Sequence, residues 1–195
     1  MWGEVREGPL LIGTRHTVGM WLVLVAALLH PNSSPKSGEL GAFYFDVLNE
    51  SQVWVDLNPR VLEDGPNPVR LNVTVAFPGR TLAGAPSRVT VRATSDDSAF
   101  PLRIRVPVLR FDLHNGTAID LTGPGSVYQF QPGCENCAAN MLVTDMKFEQ
   151  LQTVTDSPLI EVEALGFRLR LTPGDLAALR KLVVAVSDGV TVADH

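Results

Sequence analysis

The sequence predicts an all-β protein, a two-sheet antiparallel β-sandwich, with an N-terminal apolar helix and one short helix near residues 173–182. Three observations predict it. From Ala42 onward apolar and polar residues alternate with the two-residue period of half-buried strands. Clusters of Gly, Pro, Asn and Asp interrupt these runs at short intervals. Helical periodicity is nearly absent between the runs, which disfavours strand–helix–strand units and a parallel sheet.

The chain opens on a leader. Thr17 to Leu29 is thirteen residues without a charge, TVGMWLVLVAALL, following Arg15 and His16. A membrane-crossing helix needs about 20 such residues, whereas the apolar core of a signal peptide needs about 7–15. Residues 1–30 therefore read as a signal peptide or signal anchor, although Glu4 and Glu7 make a poor basic n-region. Initiation at Met20 would place the apolar run at the very start of the chain. Residues 31–41, PNSSPKSGELG, have the composition of a flexible linker. The leader has no polar helical face, which argues against a buried helix of the domain. Residues 42–195 form the expected β-sandwich domain.

The strands follow in order. AFYFDVL and QVWVDL come first. In PVRLNVTVAF, Val69, Leu71, Val73, Val75 and Phe77 share one face, and Arg70, Asn72 and Thr74 share the other. SRVTVRAT places Val89 and Val91 inward. FPLRIRVPVLRF places Leu102, Ile104, Val106 and Val108 inward, with Pro107 suited to an edge or bulge. TAIDLT, SVYQFQ, NMLVTDMKFE, PLIEVEA, LGFRLRL and LVVAVS are further strand candidates. Asn115-Gly116 predicts a tight type I′ hairpin, in which both central residues take positive φ. Thr172, Pro173 and Asp175 form a helix start, and Leu176, Leu179 and Leu182 recur at helical spacing. That short helix suits the corner of an immunoglobulin-like architecture, but neither a Cys…Trp…Cys pattern nor a tyrosine corner can be placed.

Charge excludes some functions. A net charge of −5 disfavours nucleic acid as a partner, because phosphate binding favours a basic surface. No basic amphipathic helix is present, so any membrane contact runs through the N-terminal segment. Basic residues dominate from Arg60 to Arg110 and acids from Phe111 to Gly166, an asymmetry that strand pairing can cancel.

Few residues suggest chemistry. Cys134 and Cys137, in CENC, suit a local disulfide in an oxidising compartment, a soft metal pair or two inert thiols. A redox role would need a thioredoxin-like βαβ setting, which is missing. Glu161 and Glu163 lie two apart on one strand face, a spacing compatible with glycosidase carboxylates and, far more commonly, with a solvated strand. Asp96-Asp97 reads as a solvated turn. Neither a nucleophile elbow nor a phosphate-binding Gly loop occurs. Four of the eight Asn stand in N-x-S/T sequons, Asn32, Asn49, Asn72 and Asn115, and the Ser and Thr content predicts about one by chance.

The expectation is an exported, non-enzymatic β-sandwich, extracytoplasmic and free of cofactors, tethered through residues 17–29 if the leader is retained. It acts by binding a protein or small ligand or by structural association. The rival reading is a thiol- or metal-handling extracytoplasmic domain built on Cys134 and Cys137.

Overall fold

The structure, a computed structural model, describes residues 38–62, 69–95, 108–130 and 140–193. The leader, Asn32, most of the linker, the Leu102–Val106 strand candidate, Asp96-Asp97, and Cys134 and Cys137 lie outside the described residues.

Among the described residues the protein is mostly β, with two main antiparallel sheets and two helices. The six-stranded sheet contains β1 (Leu40–Phe45), β2 (Glu50–Leu57), β4 (Val69–Pro78), β6 (Arg88–Ser95), β10 (Asn140–Lys147) and β9 (Val127–Phe130), in that spatial order. The five-stranded sheet runs β3 (Arg60–Val61), β12 (Phe167–Arg170), β11 (Ile160–Ala164), β7 (Leu109–Leu113) and β8 (Ala118–Asp120). A small third sheet pairs β13 (Val190–Thr191) with β5 (Thr81–Leu82) near the C-terminus.

The alternation of side chains sets which face is buried. On β4 the residues Val69, Leu71, Val73, Val75 and Phe77 enter the core, and their partners on β2 and β6 do the same: Val53 faces Val75, Val55 faces Val73, and Val73 faces Val91. On the second sheet, Phe111 pairs with Val162, and Val162 with Leu169, all three buried. Apolar residues of both sheets and both helices belong to one continuous hydrophobic core. A one-residue slip of any strand would turn its apolar set outward, so burial itself fixes the register.

The helices depart from the expectation in two ways. α1 (Phe148–Asp156) begins inside the segment NMLVTDMKFE that reads as one strand; the strand ends at Lys147 and the helix starts at once. Phe148, Leu151 and Val154 are its buried stripe, at three-residue spacing, and Gln150 reaches back to accept from the Lys147 backbone N–H at 3.0 Å. α2 (Pro173–Ser187) starts where the sequence predicts and runs past it, absorbing the strand candidate LVVAVS. Leu182 and Val186 continue the stripe of Leu176 and Leu179, so burial outweighs the preference of its valines for strands.

The start of α2 is a complete capping box. Thr172 accepts from the Asp175 N–H at 3.2 Å, and Asp175 accepts from the Thr172 N–H at 2.8 Å. The buried Asp175 also accepts from the backbone N–H of Asn58 at 2.9 Å, tying the helix to the segment that leaves β2.

The tight I′ turn is not where Asn115-Gly116 predicts it. Only Gly116 of that pair has positive φ, at 81°. Gly116 N–H donates to Leu113 at 3.0 Å and Leu113 N–H to Thr117 at 2.8 Å, the pattern of a type I turn closed by a glycine bulge. The Asn115 side chain accepts from the Thr117 N–H at 2.9 Å, which holds Asn115 out of the left-handed region. The two-residue turn with both φ positive is Leu165-Gly166, at 50° and 77°, between β11 and β12.

Candidate functional site

Among the described residues, three places bring chemistry-bearing side chains together. The first is the face of the six-stranded sheet opposite the core. Register puts Gln52, Trp54 and Asp56 of β2 beside Ala76, Thr74 and Asn72 of β4, and Asn72 beside Arg92 of β6. Asn72 Nδ2 donates to Asp56 Oδ1 at 2.8 Å, and the Thr74 hydroxyl donates to Asn72 Oδ1 at 2.6 Å. Burial lowers the affinity of Arg92 for its proton, and the neighbouring Asp56 carboxylate opposes that shift. Trp54 lies across Gly41 of β1: a Cβ at Gly41 would stand 2.4 Å from the indole, so only glycine fits there. Phe43 and Phe45 extend the same face to the sheet edge, their rings 4.7 Å apart and edge-on. Gln52, Trp54, Asn72 and Thr74 are all buried.

The second place is the outer face of the five-stranded sheet. Glu161 and Glu163 share this face, as their spacing requires, and arginines stand opposite them: Arg170 beside Glu161, Arg168 and Arg110 beside Glu163. Glu161 accepts from Arg170 at 2.6 Å and from Arg168 at 3.1 Å. The hydrogen bond from Arg170 is the main reason that its carboxyl is held below the usual glutamate range; desolvation opposes the shift, and the hydrogen bond from Arg168 and the charges of both arginines add to it. A general acid needs the opposite shift. The arrangement is a cross-strand ion-pair cluster, and a pair along β7, Arg110 with Asp112 at 2.8 Å, lies beside it.

The third place is an open cleft of about 260 Å³ beside the start of α1, where Arg88 and Lys147 meet Asp120 and Asp145. Its charges cancel, and Arg88 stands 3.9 Å from Asp145. Among the described residues no group of three or more His, Cys, Asp or Glu could hold a metal ion. Among them, too, no helix is long and apolar enough to cross a membrane.

The sequons fall in unlike settings. Asn115 is exposed at the tip of the β7–β8 hairpin, Asn49 is exposed in the β1–β2 turn at φ 48°, and Asn72 is buried within β4. The periodicity of β4 already separates Asn72 and Thr74 from the core, but Asp56 and Arg92 join them only through strand pairing. No local signal marks those two. Trp54 and Gly41 come together in the same way.

Comparison with protein-family models, with curated proteins and with solved structures gives no match. The described residues define a mostly β protein with two main antiparallel sheets around one core.

Proposed function

We propose that this chain is an exported, non-enzymatic β-sandwich domain that works by binding or structural association. Its two sheets pack face to face, a reading supported by the apolar residues that both contribute to one core. Across the larger sheet β1, β2, β4 and β6 adjoin in chain order, but β3 and β5 pair in other sheets and β10 stands between β6 and β9, an order that differs from a simple meander and from the immunoglobulin pattern.

The observation that carries the functional reading is the polar and aromatic face of the six-stranded sheet. Asp56, Asn72 and Thr74 are hydrogen-bonded in series there, with Trp54 and Arg92 alongside, on a rigid central part of the fold. Gln52, Trp54, Asn72 and Thr74 are already covered within the chain, so this network stiffens the sheet, and contact with a partner falls to the exposed loops and edges that the stiffened sheet holds in place at low entropic cost. Export rests on the leader, the linker and the four sequons, and gives an extracytoplasmic location.

N-terminal sequencing and fractionation of the mature protein test export: a start between residues 30 and 41 supports a cleaved leader, an intact chain held in the membrane with its β domain outside supports a retained anchor, and an intact chain wholly in the cytoplasm overturns export. Thiol alkylation with mass spectrometry and metal analysis tests the mode of action. A stoichiometric metal that is lost on Cys134→Ser or Cys137→Ser, or turnover that depends on defined residues, overturns the binding reading.

A further inference from the structure

The three sequons within the described residues differ in what the fold does with the acceptor amide and with the hydroxyl two residues on. Both groups matter, because the acceptor motif is defined by the Asn together with that hydroxyl. At Asn115 both are exposed: Asn115 and Thr117 flank Gly116 at the hairpin tip. The Asn115 carbonyl accepts from the Thr117 N–H at 2.9 Å, and among the described residues its Nδ2 makes no hydrogen bond. The amide nitrogen therefore points its reactivity at solvent from a turn whose geometry is already set.

Asn72 is the opposite case. It is 6% exposed in a strand with neighbours on both sides, and its Nδ2 is committed to Asp56. The hydroxyl of its own sequon, on Thr74, is spent on Asn72 Oδ1. A sugar on that nitrogen would have to enter the packed face between Asp56 and Arg92. Asn49 is intermediate, exposed itself, but with the Ser51 hydroxyl of its motif fully buried.

We infer that Asn115 is an N-glycan acceptor of the folded domain and that Asn72 is closed to a glycan. This rests on the export reading above, since only an exported chain meets the transfer machinery. In the transfer, Asn115 Nδ2 forms a bond to the anomeric carbon of a glycan carried on a lipid diphosphate. The carbon–oxygen bond to the diphosphate breaks, the lipid diphosphate leaves with the electron pair, and the amide gives up one proton. The exposed tip accommodates the product without disturbing the Leu113–Thr117 hydrogen bond.

The test expresses the full chain behind a foreign, cleavable signal peptide in a mammalian secretory host, with a control sequon in an added C-terminal tag. Secreted, folded protein is treated with peptide N-glycosidase in ¹⁸O water, and each Asn is scored for conversion to labelled Asp. The expected result is labelling at Asn115 and none at Asn72. One glycan's mass is expected to be lost in Asn115→Gln and in Thr117→Ala, and kept in Thr117→Ser. Labelled Asn72 in folded protein, or unlabelled Asn115 in chains whose control sequon is labelled, overturns the inference. The foreign signal peptide separates this from export: a chain that stays inside with its own leader defeats the export reading and leaves the Asn115 result standing.

Discussion

Leu165 donates its backbone N–H to the carbonyl of Val108 at 3.2 Å while its own φ is held at 50°. A leucine in the left-handed region costs about 1–2 kcal/mol, because Cβ crowds the following carbonyl. The side chain is fully buried in the core, and burying a leucine contributes about 1.5–3 kcal/mol. Burial thus outweighs the strain, and it places a leucine where a hairpin turn ordinarily takes Asn or Gly.

That balance reverses a familiar ranking. Glycine is ordinarily less stabilising than alanine, but at position 165 both lose the buried side chain and only glycine sheds the strain. Leu165→Ala is expected to cost about 2–5 kcal/mol. Leu165→Gly is expected to cost about 1 kcal/mol less than the alanine variant. Urea unfolding of the three proteins ranks them, and a glycine variant less stable than the alanine one contradicts the strain argument.

Gly41 and Trp54 make a second prediction. A methyl group at position 41 would sit 2.4 Å from the indole, well inside contact distance. Gly41→Ala is expected to destabilise by about 1–3 kcal/mol and to push the indole from its place. Trp54 is 3% exposed, so displacement moves it toward water and shifts its emission to the red. Unchanged emission and stability in Gly41→Ala would refute the stacking.

Asp175 caps α2 and holds the Asn58 backbone as well. Its carboxylate takes hydrogen bonds from the Asn58 N–H, the Thr172 N–H and the Thr172 hydroxyl. Asp175→Ala removes the charged acceptor shared by the Asn58 N–H, the Thr172 N–H and the Thr172 hydroxyl, an expected loss of about 2–3 kcal/mol. Hydrogen exchange should then rise at Asn58 as well as along the first turn of α2. Faster exchange confined to the helix would show that the link to Asn58 carries no stability.

Glu161 gives a pH dependence of defined sign. Its pKa is depressed in the folded protein, first by the hydrogen bond from Arg170. Its contribution is therefore fully present above the ordinary glutamate pKa and is lost as the pH falls through the depressed folded value. The pair is partly exposed and screened by solvent, so the effect is small. Glu161→Gln should lower the melting temperature at neutral pH and low salt, and the difference from the parent should close on acidification and in high salt. A constant difference across pH would assign the loss to packing instead of charge.

Much of the strand content is legible in the sequence because its cause is local. The face-alternation of β4, β6 and β12 follows from the two-residue period, and Val69, Leu71, Val73, Val75 and Phe77 are buried as that period requires. α1 left a weaker trace: Phe148, Leu151 and Val154 are spaced for a helix, but Lys147 is a poor capping residue and the helix is only nine residues long. The candidate face was half legible, since Asn72 and Thr74 stand together in one strand, whereas Asp56 and Arg92 arrive from strands far apart in sequence.

By itself, then, the sequence determined the periodic elements and the capped start of α2, both set by neighbours within a few residues. Tertiary structure alone decided which strands adjoin, how far α2 runs, and which turn takes two positive φ angles. In each case the deciding energy is burial against distant residues: Val186 and Leu182 in the core extend a helix of strand-preferring valines, and Leu165 accepts backbone strain to enter that same core.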